Sequence, residues 1–541
     1  MSASRKKMLR REETKTAMTE RQQQEQKESK KLRVYTVLFV IAIVLMVGVV
    51  IATSVSESGI IERNTTALTV NDTDISAVEL NYFYGDTINQ FINTYGSYVS
   101  MMGLDTSLPL NEQYTDEEKT QTWADYMLEM TLGTVRSSYA MYLDAAANNY
   151  VLPEEALEEI ETTISNLEAA AAVSGYANSD GYLKAMYGPG SNLKSFRHYL
   201  NVQSTANHYY ADTVDAMEYS DEQLRAVEAD NFNKYSSYSY DYYFLPASSF
   251  YEGGTTDEEG NTTYSEEEME AGRAMCEDTA KSLAQCTSLE DLNDAISSLE
   301  INADKQAGTT AATDRLYTSI SNSILNWLTA EDRQAGDIGY VENTVTSADD
   351  DGNEVTTVNG YYLLHYVGST DNTYPLVNVR HILLNHTGGS TDESGATTYT
   401  DEEKAATYAR AEELLSSFTS GEATEDAFAA LADTHSEDPG SNTNGGLYEN
   451  IYPGEMIANF NDWCFDESRQ PGDTGIVEGN QGYHIMYFCG YTDYTYRDYM
   501  ITQELLNADV TEWQNAIYES VEVTTVDTSN VIKDVTLTTA A

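Results

Sequence analysis

Two pairs of segments in this chain repeat one another at nearly one separation, and any fold has to accommodate that. GGTTDEEGNTTYSEEE (Gly253–Glu268) matches GGSTDESGATTYTDEE (Gly388–Glu403) at 11 of 16 positions, 135 residues apart. WLTAEDRQAGDIGYVE (Trp327–Glu342) matches WCFDESRQPGDTGIVE (Trp463–Glu478) at 9 of 16, 136 residues apart. Chance would not preserve both the matches and the spacing, so the chain holds two copies of one domain, over 235–368 and 376–491.

Both copies show the same order of elements. A strand comes first, YDYYFL (Tyr240–Leu245) or VRHILL (Val379–Leu384). A Gly-rich loop leads to a helix opened by a capping box, Ser265 to Glu268 or Thr400 to Glu403. A second helix, the Trp-bearing segment and a closing strand follow, GYYLLHYVG (Gly360–Gly368) or GYHIMYFCG (Gly482–Gly490). If the first and last strands lie side by side, His381 meets His484. The corresponding positions in the first copy are Tyr242 and Tyr362. A lone strand histidine is more often structural, but histidine at both positions of one copy and at neither of its twin marks a functional pair.

Charge divides the chain. Residues 1–33 hold 11 of the 30 basic and 5 of the 88 acidic residues, leaving 19 basic against 83 acidic in the remaining 508. So acidic a body repels phosphates, which excludes a nucleic-acid partner. Between the two regimes Val34–Thr53 runs twenty residues without a charge, enough for one helical crossing of a bilayer. The basic flank before it predicts a single-pass cell-membrane protein, with residues 1–33 as a cytoplasmic tail and the bulk of the chain extracytoplasmic. A cleaved signal peptide would have a shorter apolar core and an A-x-A site.

A spacer at 54–69 leads into an expected α-helical module over 70–232. Helices are expected from Ala77 to Met102 and at 115–149, 153–174, 191–216 and from Tyr219, the last with Ser220 and Gln223 as a capping box. Its Tyr82, Tyr84, Met101, Met102, Tyr209 and Tyr210 suit either a core or a surface holding apolar, unfolded segments. The C-terminal segment 492–541 is expected to form a helix returning to this module, ending in a frayed Thr-rich tail. Four cysteines in some 490 residues do not make a disulfide scaffold. Cys276 and Cys286 on one helix would lie about 15 Å apart, and all four are expected to be buried apolar groups.

The second copy resembles the parvulin family of peptidyl-prolyl cis/trans isomerases over about 115 residues. VRHILL with His381 is similar to the family's first strand, and GYHIMYF with His484 to its last. HSEDPGSNTNGGL (His435–Leu447) is similar to the loop whose acidic residue faces the site, here Asp438, and PGEMIANF (Pro453–Phe460) to the pocket segment. The whole layout also resembles the membrane-anchored or secreted foldases of bacteria, which implies an α+β multidomain chain: transmembrane helix, helical chaperone module and two small antiparallel sheets wrapped by helices, the first copy degenerate. The parvulin resemblance implies His381, Asp438 and His484 as the catalytic set and Leu447, Met456 and Phe460 as the proline pocket. The family's usual Gly-Asp-Leu-Gly is Gly446-Leu447-Tyr448-Glu449 here.

Rotating an X-Pro bond opposes a barrier of roughly 18–20 kcal/mol from amide resonance. A site lowers it by seating the ring in an apolar pocket, excluding water and favouring the twisted amide. That chemistry needs no cofactor. A zinc site of His381, His484 and Asp438 is open on ligand type but lacks closely spaced ligands. The loop Asn385–Glu403 has no Lys or Arg, which argues against phosphate-directed specificity. The expected substrates are unfolded or newly exported polypeptides with X-Pro bonds. The alternatives are a non-catalytic holdase and an acidic surface structural or adhesive protein.

Overall fold

The computed structural model describes residues 4–8, 58–257, 260–303, 305–348, 353–392 and 395–537. The apolar segment Val34–Thr53 lies outside them. Among the described residues no helix is long and apolar enough to cross a membrane. The chain divides into two compact units, Met1–Glu218 with Ala508–Ala541, and Tyr219–Asn507.

The first unit is mainly helical, with helices Ala77–Tyr95, Trp123–Ala147, Glu154–Val173, Ser179–Tyr187 and Leu193–Asp215. Each begins where a side chain can take up a free backbone N–H or where Pro needs none: Ser76 accepts from Glu79, Thr122 from Asp125, Asn192 from Ser195, and Pro153 precedes Glu154. Tyr82, Tyr84 and Tyr209 are buried and belong to the core, whereas Met101, Met102 and Tyr210 are exposed. The Thr-rich tail expected to fray does not do so up to Leu537. Val523–Thr525 pairs with Thr66–Val70, and Val531 and Leu537 are buried in this unit's core.

The helix expected to close this module, Asp221–Asp230, belongs to the second unit. Its Leu224 packs with Tyr235 and Ile501, and Glu228 accepts from the fully buried Arg497 at 2.7 Å. The capping box of Ser220 and Gln223 is formed.

The second unit contains two four-stranded antiparallel sheets of one topology. In the first copy the order is Thr310–Leu316, Ser237–Pro246, Glu354–Thr370, Ile338–Ala348. In the second it is Leu447–Ile451, Pro375–Asn385, Gly482–Thr495, Thr474–Glu478. Register repeats too: Tyr242 pairs with Leu364 and Phe244 with Tyr362, as His381 pairs with Met486 and Leu383 with His484. Both capping boxes are present. The Trp segments repeat in detail, with Arg333 stacked on Trp327 at 3.7 Å and Arg469 on Trp463 at 4.1 Å.

Strand alternation divides the second copy's core between two faces. Ile382, Leu384, Ile485 and Tyr487 pack on one face against Phe418 of helix Asp401–Ser420 and Phe428 of helix Glu425–His435. On the other face Val377, Val379, Met486 and Phe488 pack against Phe460 and Cys464 of helix Ala458–Cys464. Each such side chain contributes about 1.5–3 kcal/mol when fully buried. All four cysteines are free; Cys276 and Cys464 are buried, but Cys286 and Cys489 are only half-buried. Cys286 also lies beyond the end of helix Glu266–Leu283 that carries Cys276.

Candidate active site

His381 and His484 sit on the two central strands of the second copy, diagonal to one another across the pair His484–Leu383 and His381–Met486. Odd-numbered residues of the His381 strand and even-numbered residues of the His484 strand point to the face covered by Phe460. The two rings therefore meet, with Nδ1 atoms 3.1 Å apart.

The third member arrives on a loop. After helix Glu425–His435 the chain turns through Ser436–Gly446, and Gly445 and Gly446, at φ 69° and 70°, bring it back against the sheet. Gly446 accepts the His381 backbone N–H at 2.8 Å, and a Cβ there would lie 2.2 Å from the His381 carbonyl oxygen. Clamped in this way, the loop places Asp438 Oδ2 3.1 Å from His381 Nε2. Ser441 donates to the same Oδ2 at 2.6 Å, and Tyr448 donates to it at 3.3 Å.

The protons in this row are set by its end. A carboxylate only accepts, so His381 Nε2 carries the hydrogen and Nδ1 of the neutral ring accepts from His484 Nδ1–H. Burial, and then the neighbouring His381 ring, push the His484 imidazole down to about 4. Burial also lowers His381, against the pull of Asp438. Burial works to raise Asp438, yet the Ser441 hydroxyl and the His381 ring hold it below the usual carboxylate range. At neutral pH the set is two uncharged imidazoles on one carboxylate. The three groups are bonded in a row rather than converging on a common point.

Beside the row lies a hollow of about 300 Å³, lined by His381, Leu383, Tyr448, Met456, Phe460 and His484 among others. Phe460 stands nearly perpendicular to both imidazoles, 5.6 Å from His381 and 5.4 Å from His484 by ring centre. Of the residues expected here, the structure brings His381, His484, Asp438, Met456 and Phe460 together. It does not bring Leu447. On the short strand Leu447–Ile451 neighbouring side chains point to opposite faces, and Tyr448 takes the place in the hollow. Ser441 and Tyr448 were not anticipated as members. The signal for Tyr448 lay in the departure from Gly-Asp-Leu-Gly, where it stands at the leucine.

The arrangement can hold a five-membered ring against Phe460 and Met456, shield the adjoining amide from water and offer the imidazole row to its carbonyl region. The first copy has no histidine at the equivalent place. Tyr242, Phe244 and Tyr362 pack ring on ring there, with centres 6.2 and 5.0 Å apart. Its one strand histidine, His365, sits on the opposite face at the position of Tyr487 and bonds Asp241 at 2.9 Å.

Residues 361–489 match the PPIC-type PPIASE domain family, a match that begins in the closing strand of the first copy. The chain carries a parvulin-type peptidyl-prolyl isomerase domain. No curated protein matches the chain. Among solved structures, the peptidylprolyl isomerase PrsA of Bacillus cereus is similar at 27% identity and TM-score 0.17, covering 27% of this chain and 49% of its own. PrsA of Bacillus subtilis is similar at 20% identity and TM-score 0.18, covering 27% and 49%. The Campylobacter jejuni pair PEB4 and Cj1289, described as SurA-like chaperones, is similar at 20% identity and TM-score 0.17, covering 27% and 50%. The chain thus spans about half the length of these proteins. The parvulin domain has both histidines, the acidic loop residue and the aromatic wall that the resemblance implies, with tyrosine at the leucine of the loop.

Proposed function

We propose that this chain is a membrane-anchored extracytoplasmic foldase that catalyses cis/trans isomerisation of X-Pro bonds in unfolded, newly exported polypeptides and holds them meanwhile. The observation that carries the isomerase part is the hydrogen-bonded row His484–His381–Asp438 along a hollow walled by Phe460 and Met456. No proton has to move. The ring is held, the amide is desolvated, and the uncharged imidazoles favour the twisted amide over the planar one. Holding is supported by apolar side chains left at the surface of the first unit, Tyr95, Tyr98, Met101 and Met102. The anchor and the location rest on the charge-free Val34–Thr53 behind its basic leader.

The test is turnover of a short Ala-Pro peptide by the detergent-solubilised full chain, with His381→Ala and His484→Ala beside it and circular dichroism to establish folding. Turnover in the parent and its loss in folded variants supports the reading. An intact chain without turnover would be a holdase. Protease protection in spheroplasts tests the location: digestion of the body from outside is expected, and protection would refute an extracytoplasmic body.

A further inference from the structure

The second unit has another hollow, of about 280 Å³, in the seam between the two copies. Asp314 and Leu316 of the first copy's edge strand form one wall, Asn372 and Tyr374 of the connector another, and Tyr452 and Tyr496 a third. The tyrosines form a ladder: Tyr452 lies on Tyr496 at 4.6 Å and 10°, and Tyr374 on Tyr496 at 5.8 Å and 28°.

Three observations define what this space suits. Its charged wall residue is acidic: Asp314, held against Ser239 by two hydrogen bonds of 2.9 and 3.1 Å. A second carboxylate, Glu455, accepts the Tyr452 backbone N–H at 3.1 Å at the mouth of the same turn. Beyond burial, Asp314 raises the Tyr374 hydroxyl pKa, and Glu455, itself pushed up by burial, contributes to raising those of Tyr452 and Tyr496. Asn372 is fully buried in the wall and spends both amide hydrogens, on the Tyr235 carbonyl and the Ser237 hydroxyl at 3.0 Å each. Its Oδ1 has no partner. Aromatic rings and a carboxylate in the wall together suit a cationic ligand.

The hollow is tied to the isomerase site by one stretch of chain. Tyr448 and Met456 line the site, while Tyr452 and Pro453 line the seam. Tyr448 and Tyr452 are joined through a bulge with Asn450 at φ 61°, so the two lie no more than about 13 Å apart, the span of four extended residues. We propose that the seam hollow binds a Lys or Arg side chain of the polypeptide whose proline occupies the isomerase site, up to four residues along the chain from it. This rests on the isomerase reading above. The acidity of the whole protein, −58 in formal charge, would then draw basic segments in and the seam would hold one of them.

The experiment uses the full chain and matched Ala-Pro peptides carrying lysine or norleucine four residues before or after the proline. The expected kcat/KM is about fivefold higher for a lysine peptide than for its norleucine twin, the scale of one cation–aromatic contact. In Asp314→Asn that preference is lost while the norleucine rate is unchanged. In Asp332→Asn, an exposed carboxylate outside the hollow, it persists. Equal rates for lysine and norleucine in the parent overturn the proposal, as does an equal loss of preference in both Asp variants, which would be the general field acting alone. If no peptide is turned over, the isomerase reading fails. Fluorescence anisotropy of the labelled lysine peptide then decides the hollow, with binding about fivefold weaker in Asp314→Asn expected and unchanged binding overturning it.

Discussion

His381 and His484 face each other Nδ1 to Nδ1 at 3.1 Å, and Tyr242 and Tyr362, at the same register in the first copy, meet only ring to ring at 6.2 Å. One backbone thus carries a polar row beside an open hollow in one copy and a cluster of aromatic rings in the other. The expected outcomes below follow from that contrast and from what holds the row in place.

His381→Ala leaves Asp438 without the imidazole and His484 with an unpaired donor, both half-buried beside the hollow. An unsatisfied buried group costs about 1–3 kcal/mol, so kcat/KM toward an Ala-Pro peptide is expected to fall ten- to a hundredfold. Tyr242→Ala at the equivalent place of the first copy should leave it unchanged. Peptide isomerisation kinetics on both variants check this.

Acid should loosen this domain earlier than its carboxylates alone would. His484 is held down to about 4, against 6.5 for a free imidazole. As pH falls below 6.5 the unfolded chain takes this proton first, so the native state loses stability progressively until His484 itself protonates near 4. The loss amounts to about 3 kcal/mol, and the contribution is fully present above 6.5. Asp438, also held low, adds its loss at still lower pH. Urea unfolding between pH 4 and 7.5, with imidazole titration by NMR, measures both; a His484 midpoint near 6.5 would contradict this.

Tyr448→Phe removes a donor to Asp438 and keeps the ring, whose centre lies 5.0 Å from that of His381. One hydrogen bond is worth about 1 kcal/mol, so a two- to fivefold fall in kcat/KM is expected with little change in folding. Tyr448→Leu, which also shrinks the wall of the hollow, should shift the preference for the residue before proline toward larger side chains. A panel of Xaa-Pro peptides reads this.

Gly446→Ala should harm folding. The left-handed backbone costs a residue with a Cβ roughly 1–2 kcal/mol, and the Cβ would press on the His381 carbonyl at 2.2 Å. A loss of at least about 2 kcal/mol in denaturant unfolding is expected, with activity falling alongside because His381 must shift.

Much of this was legible in the amino-acid order. The repeat offsets, the capping boxes at Ser265 and Thr400 and the pairing of His381 with His484 across closing strands are local or periodic features. Neighbours in sequence or a fixed strand alternation suffice to predict them. Leu447 shows where that stops. Which of two adjacent residues on a short strand enters the hollow depends on the phase set by the Gly445–Gly446 turn and the register Leu447–Arg380. Helix Asp221–Asp230 has helical periodicity and a capping box in either unit; only Leu224 meeting Tyr235 and Ile501 assigns it.

By itself, then, the sequence determined the two-copy architecture, the identity of the two imidazoles and the acidic body behind an apolar segment. These follow from composition, periodicity and self-similarity along one dimension. The tertiary structure decided that Tyr448 rather than Leu447 walls the site, that Ser441 joins Asp438 at the end of the imidazole row, and that Tyr374 and Tyr496, 122 residues apart, stack beside Asp314. Such contacts join residues distant along the chain, and the packing of sheet, loop and helix selects them, which no local pattern encodes.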